Sequence, residues 1–410
     1  MTLSPSWSYR KQIIISSSMV SNTDQTDFPV LIYRASDSDL ASNAQADGDD
    51  IVFTSSNGTK LSHEIEKYTS ATGELYAWVK IPSLSASSDT TLYMYYGNAA
   101  CSSQQDVTGV WNSNYVGVWH LDETSGTIYD STSNANNGNI SGGVTQDATG
   151  QIDGADTFNG TNGIVTVGTT GRPTNNFTFG GWMKTSVTHQ IDAQSTSGTV
   201  GISGQKYAFG ASQEEANAGA GLSVGTNGIS VYEHGSGYMP ATAVYSATIG
   251  SDWNYIMVVY SNKRPTIYLN GSAIHTGLTS PKTTVYAPYQ IGGGSYGYFN
   301  GSMDEIRILN TARSADWIST SCNNQNDPAS YETVGSQSAT SLTVANNLTQ
   351  SAGTFDIEDN NLNVSGNVLV NGGTLDASDV SCNLDMDGNI TVSVGTLSAP
   401  AVLDDTSFTA

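Results

Sequence analysis

The sequence predicts an all-β chain: two β-sandwiches in series over residues 1–105 and 106–337, then a β-solenoid-like run of repeats over 338–410. Three observations predict it. Turn formers abound, with 43 Gly and Ser, Thr and Asn throughout, yet 21 Tyr and 7 Trp are mixed among them. Charged residues make up only 12%, whereas disordered chains carry more charge and fewer aromatics. Short strands joined by tight turns account for that mixture. Finally, 410 residues exceed what one hydrophobic core serves, and the end of the chain repeats itself.

In the first stretch, residues 12–15, 28–33, 50–53, 75–81 and 91–96 are runs rich in Ile, Val, Tyr and Trp, bounded by Gly, Asn, Asp or Ser. Such runs are strands of a sandwich. Only residues 36–46 suit a short helix. In the second stretch the strands include 116–121, 163–167, 177–183, 255–260 and 266–269. The step Asn270-Gly271 predicts a hairpin, because a type I′ turn needs positive φ at both central residues. Residues 314–318 predict a helix of one or two turns with Ser314 as its N-cap.

The tail differs in kind. Leu342-Thr-Val344, Leu362-Asn-Val364 and Leu384-Asp-Met386 recur at the same intervals as Asn347, Asn367 and Asn389, and as Gly353, Gly373 and Gly395. A period of about twenty with short strands and turn residues predicts stacked rungs, each unable to bury its apolar side chains alone. A further rung, or contact with another copy of the chain, is expected to cover the last one.

The stretch Trp7-Ser-Tyr-Arg-Lys11, Asp27-Phe-Pro-Val30, Ala46-Asp-Gly-Asp-Asp-Ile-Val-Phe53, His63-Glu-Ile-Glu66, Ala77-Trp-Val-Lys-Ile81 and Tyr95-Tyr-Gly-Asn98 resembles an uncharacterised prokaryotic β-domain family. Members of that family commonly precede a laminin-G-like domain. The next block resembles that companion in Gly117-Val-Trp-His-Leu-Asp-Glu123, Phe158-Asn-Gly-Thr-Asn162, Tyr268-Leu-Asn-Gly271 and Gly301-Ser-Met-Asp-Glu-Ile-Arg-Ile308. The resemblance covers residues 7–335 and implies that the second sandwich is a concanavalin-like jelly roll. It is specific for fold and weak for function, since such domains serve adhesion, glycan binding and architecture alike.

Fourteen Lys and Arg against 37 Asp and Glu give a net charge of −23. Nothing here neutralises a phosphate backbone, which excludes nucleic acid as a partner. An Asp- and Asn-rich surface suits hard cations, and it equally serves solubility. No run of about 18 apolar residues predicts a membrane span. No apolar run of signal-peptide length stands at residue 1. Two expectations follow: a leader already removed, or release without one, as for a virion component freed by lysis.

Laminin-G-like domains often hold a structural Ca²⁺ on acidic loop residues. That resemblance points to Asp130, Asn134 and Asn136 on a turn-rich loop, with Asp304 as a fourth ligand. The same residues also suit simple Asx-turns. Glycan recognition needs aromatic platforms beside polar groups, and two Gly-rich loops offer them: one with Tyr232, His234 and Tyr238, the other with Tyr296 and Tyr298. Packing of these rings on their own sandwich is the alternative. Cys101 and Cys322 depart from the residues expected in the family and close the two modules, which suggests a disulfide. Two free thiols are the competing reading. Cys382, in the repeats, is expected unpaired, and the five scattered histidines show no metal-ligand spacing.

Related glucanases carry Glu-x-Asp-x-x-Glu on one strand, and no such triplet occurs here. Strand alternation sends Asp304 and Glu305 to opposite faces. The segment His63-Glu-Ile-Glu66 resembles a family feature without a catalytic role. No catalytic residue is therefore assigned. The sequence reads as a non-catalytic recognition or adhesion protein for cell-surface glycans, extracellular or on a cell or virion surface. A phage fibre, spike or capsid appendage, oligomeric through the repeats, fits that reading. A structural subunit of a surface layer, sheath or filament, with copies of itself as partner, is the alternative. A polysaccharide hydrolase is the remote one.

Overall fold

The computed structural model describes residues 7–344, 346–357, 361–376, 383–386, 389–398, 402–404 and 408–409. In the first module, Tyr9–Ile15 pairs antiparallel with Thr90–Tyr96, which pairs with Val52–Ser55. The second sheet runs Gln25–Arg34, Glu74–Leu84, His63–Thr69. Ile13, Ile15, Phe53, Leu92 and Met94 from one sheet share a core with Val30, Ile32, Ala77 and Val79 from the other. The helix expected at 36–46 is Ser38–Asn43. It starts where the Asp37 carboxylate accepts from the N–H groups of Asp39 and Leu40.

The other edge of Tyr9–Ile15 is covered. Glu332–Val334 pairs with its Ile13–Ile15 portion, and Ser338–Ala339 pairs with Tyr9 and Arg10. The first sandwich is thus completed by residues far along the chain, and the second is inserted between its strands. An unpaired edge strand invites foreign pairing, and here the returning chain removes that risk.

The second module is two eight-stranded, largely antiparallel sheets. One runs from Ser272–Thr276 through Arg264–Leu269, Asn254–Ser261, Phe177–Lys184, Asn300–Leu309 and Gly154–Asn159 to Val144–Thr149. Tyr115–Trp119 also pairs with Asn300–Leu309. The other holds Ala241–Tyr245, Gly228–His234, Ala218–Gly225 and Tyr207–Phe209 among its strands. Phe179, Ile256, Val258, Ile306 and Ile308 meet Leu222, Val224, Ile229 and Val231 between them. Asn270 and Gly271 take φ of +48° and +82°, as the predicted hairpin turn requires.

The helix predicted at 314–318 extends from Ala315 to Asn326, with the Ser314 hydroxyl accepting from the Trp317 N–H. It lies between the modules. Trp317, Ile318 and Cys322 join Trp182, Tyr255 and Tyr268 of the second module and Phe28 and Leu31 of the first in one continuous core. Asn324 then clamps Leu31, accepting from its N–H at 2.7 Å and donating to its carbonyl at 3.0 Å.

In the tail, strands pair in parallel with the strand one repeat later. Ser341–Val344, Asn361–Val364, Asn383–Met386 and Val402–Asp404 form one ladder, and two others run beside it. Leu362, Val364, Val368, Val370 and Leu375 are buried between them. The repeated Asn residues also stack: Asn347 Oδ1 accepts from the Asn367 N–H, and Asn367 Oδ1 from the Asn389 N–H. Cys382 lies outside the described residues.

Candidate functional site

The predicted ligand residues fall on the outward face of the second module's Gly228–His234 sheet and on the loops beside it. The segment 189–205, ahead of the Tyr207–Phe209 strand, packs on that face. Asp192 accepts from the Tyr232 hydroxyl at 2.8 Å and from the Gln205 amide at 2.9 Å, and the His189 ring meets the Ser223 hydroxyl at 2.9 Å. Tyr232 is fully buried against Tyr207, which corrects the expectation that it presents its ring to a ligand. His234 and Tyr238 are corrected likewise. They are 5% and 8% exposed, His234 Nδ1 meets the Ala211 carbonyl, and Tyr238 donates to buried Glu233. Tyr296 remains 37% exposed with its ring edge-on to His234, and Tyr298 is half-buried. Val200 and Ile202, also exposed, flank Gly201, which sits against Tyr207 and Tyr232.

Of the predicted calcium ligands, Asp130, Asn134 and Asn136 share one loop, and their polar atoms bond within it and to the neighbouring backbone. Asp130 accepts from the N–H groups of Val118, Thr132 and Asn136 and from the Thr132 hydroxyl, so its loop is closed by hydrogen bonds. Asn136 donates to the carbonyls of Val116 and Thr170, and Asn134 to those of Tyr115 and Val116. These are the Asx-type roles that compete with metal ligation. Asp304 lies elsewhere, accepting from the N–H groups of Gln151 and Ile152. The expected disulfide is also corrected: Cys101 and Cys322 are both free thiols, Cys101 beside the Asn98 carbonyl and Cys322 packed against Gly271.

What sequence reasoning missed is a buried charge cluster where the two modules meet. His120 Nδ1 lies 2.6 Å from Glu305 and 3.4 Å from Glu66, while Nε2 lies 3.3 Å from Glu64. Trp78 and Trp111 donate their indole N–H groups to Glu66 and Glu64. Arg307 pairs with Glu305 at 2.7 Å and stacks over both indoles. Backbone irregularities aim these groups. The ladder shifts at Glu66, Leu121 has φ of +64°, and Glu305 has φ of +54° at a bulge opposite Gly180–Trp182. A bulge redirects a side chain that simple alternation would send elsewhere. Glu305 sits at such a bulge and turns to His120 and Arg307, while Asp304 accepts from the N–H groups of Gln151 and Ile152.

Burial opposes a charged His120, but Glu305, Glu64 and Glu66 outweigh it and hold the ring protonated well above its usual range. Burial and the neighbouring Glu305 push Glu66 and Asp304 well above the usual carboxylate range. Burial works against ionised Glu305 too, yet His120 and Arg307 hold it low. Glu66, His120 and Glu305 each bring a ligand atom within 4.8 Å of the others. The cluster already contains its own cations in His120 and Arg307, so it fits an ion-pair network better than a metal centre. The Glu66 and Glu305 side chains in it are fully buried.

Residues 47–137 match a family described as a domain of unknown function, DUF2341, and residues 158–319 match the concanavalin A-like lectin/glucanases superfamily. No curated protein matches the chain. Among solved structures, it is similar to domain 4 of a GH43 extracellular arabinanase from Geobacillus stearothermophilus, in complex with arabinotriose. That likeness has 17% identity and a TM-score of 0.36 over 51% of this chain and 98% of the other. The botulinum neurotoxin serotype D binding domain is similar at 10% identity and a TM-score of 0.37, over 52% of each chain. The Trypanosoma rangeli sialidase in complex with sialic acid is similar at 12% identity and a TM-score of 0.38, over 65% of this chain and 45% of that one.

Proposed function

We propose that this chain, which carries a DUF2341 domain followed by a concanavalin A-like lectin/glucanase domain, is a non-catalytic recognition protein that binds a glycan outside the cell that made it. The observation that carries this reading is Tyr296, an exposed ring held edge-on by His234 on a Gly-rich loop beside Tyr298. An aromatic face of this kind stacks on the apolar face of a sugar while nearby polar groups set its orientation. We give the Glu64, Glu66 and Glu305 cluster a structural role, since glycoside hydrolysis needs two carboxylates flanking an open cleft and the Glu66 and Glu305 side chains are buried.

A glycan array probed with the full chain tests the reading. Selective binding is expected, weakened at least tenfold by Tyr296→Ala. An array with no positive glycan, or one unaffected by that change, overturns it. A second reading is favoured by the parallel ladders over residues 341–409. We read them as rungs of a β-solenoid, the shaft of a fibre or a filament subunit on a cell or virion surface. Imaging of native material discriminates the two: an ordered lattice or helical array makes neighbouring copies the partner.

A further inference from the structure

A cavity of about 240 Å³ opens where the returning chain meets the first sandwich. Tyr33, Arg34, Ala35 and Ser36, at the end of Gln25–Arg34, form one wall, and Ala329 and Glu332 of the returning chain form the other. Glu332 begins the strand that covers Tyr9–Ile15, and its Oε1 accepts from the Tyr33 N–H at 2.8 Å. Its other oxygen, Oε2, is buried and has no hydrogen-bond partner among the described residues. Buried polar atoms are almost always bonded. An exception in the wall of an open cavity leaves a place for a polar group from outside.

The fixed charges behind this wall are balanced. Asp37, the next residue after Ser36, is shared by Lys11 at 2.7 Å and Arg34 at 3.3 Å, and Lys11 also reaches Asp39 at 2.9 Å. Two cations thus face two carboxylates. Burial pushes Glu332 up to about 8, against the pull of the Tyr33 N–H and of Arg34. At neutral pH the acid therefore keeps its proton, and the free oxygen can donate as well as accept. Neither a cationic nor an anionic guest finds an uncompensated counter-charge here. The Tyr33 ring, set against Tyr76 with centroids 4.8 Å apart, and the methyl groups of Ala35 and Ala329 supply the apolar part of the lining.

We propose that this cavity is a second binding site, for a neutral polyhydroxylated molecule the size of one sugar ring. Hydroxyls of such a guest meet the free Glu332 oxygen, the Arg34 guanidinium and the Ser36 hydroxyl, while its C–H face lies on the apolar lining. The volume falls below the roughly 300 Å³ at which pockets for drug-sized ligands begin, which restricts the guest to a single ring. The site forms only in a chain that returns past the second sandwich, because Ala329 and Glu332 come from there. Tyr296 is not part of its lining.

Saturation-transfer NMR of the full chain carrying Tyr296→Ala tests the site without a contribution from that loop. The probes are the methyl glycosides of glucose, galactose and mannose, with glucuronate and glucosamine as charged comparators, all at millimolar concentration. Saturation transfer to at least one neutral glycoside is expected, with affinity at least tenfold weaker after Ala329→Trp, which fills the cavity. Ala329 is exposed, so that variant is expected to fold, and its melting curve verifies it. Ala35→Trp, at a second exposed position of the wall, takes its place if it does not. No transfer to any neutral glycoside overturns the proposal. So does stronger binding of a charged comparator, or a loss of less than tenfold in the folded tryptophan variant. A glycan array that fails leaves this site standing, and failure here leaves the Tyr296 loop standing.

Discussion

His120 and Glu66 sit in the same cluster but carry different weight. His120 is the cation shared by Glu64, Glu66 and Glu305, and removing one partner of a buried ion network leaves the others uncompensated. His120→Ala is expected to cost about 3 kcal/mol or more in urea unfolding of the full chain. Glu66 is held neutral by burial and by Glu305, so Glu66→Gln replaces one uncharged group by another and should cost less than about 1 kcal/mol. Equal losses in the two variants would show that Glu66 is ionised. The raised His120 value also carries a sign. Its contribution is complete below the unfolded value of about 6.5 and is lost as pH rises through the folded one. None of this is legible in spacing, because three backbone irregularities gather the residues and only the folded chain brings them together.

At the scale of elements, the helix Ala315–Asn326 shows where sequence patterning stops. Its N-cap and first turn were readable from Ser314 and Trp317. Its later turns were not, because the buried residues there include Thr320, Ser321, Asn324 and Gln325. Hydrophobic periodicity cannot register a face that is buried through hydrogen bonds. Gln325 accepts from the Trp182 indole and Asn324 clamps Leu31, so the helix bonds to both modules. Asn324→Ala removes two buried hydrogen bonds and is expected to destabilise the chain by about 2 kcal/mol, read as a lowered urea midpoint with an unchanged slope. A lowered slope instead would mean that the modules separate before they unfold. The hairpin at Asn270-Gly271 shows the opposite case, a two-residue signal whose chemistry is local and therefore readable.

At the scale of the whole molecule, the insertion of one sandwich between the strands of another makes the modules interdependent. A fragment ending at residue 105 lacks Glu332–Val334 against Tyr9–Ile15 and lacks the helix that covers Leu31. Circular dichroism and proteolysis should find that fragment unfolded and a chain ending at residue 340 folded. A stable, cooperatively melting 1–105 fragment would refute the interdependence. Stability should also depend on pH in a defined direction. Burial pushes Asp156 and Glu332 up to about 8 and Glu233 up to about 7, while it lowers His63 and His189 to about 4. The raised carboxyls lend stability at low pH that is lost as pH climbs toward 8. The histidines lend stability at high pH that is lost as pH falls below about 6.5. Between pH 6.5 and 8 the raised carboxyls and His120 act in the same direction, so the melting temperature should fall over that interval. A flat or rising profile there would contradict the burial of these acids.

The sequence by itself determined the all-β class, the concanavalin-like second sandwich, the hairpin turn and the repeat spacing of the tail. Each rests on local chemistry or on a repeat: turn residues, strand composition, a motif series, a spacing of landmarks. Tertiary structure alone decided that Tyr232, His234 and Tyr238 are covered while Tyr296 is open, that Asp130 closes its own loop, and that Cys101 and Cys322 stay apart. It also decided that His120 meets three glutamates contributed by both modules. Those outcomes depend on bulges, on loops laid across a sheet face and on strands returning from far along the chain. Distance along a chain sets no limit on distance in space, so no local pattern encodes them.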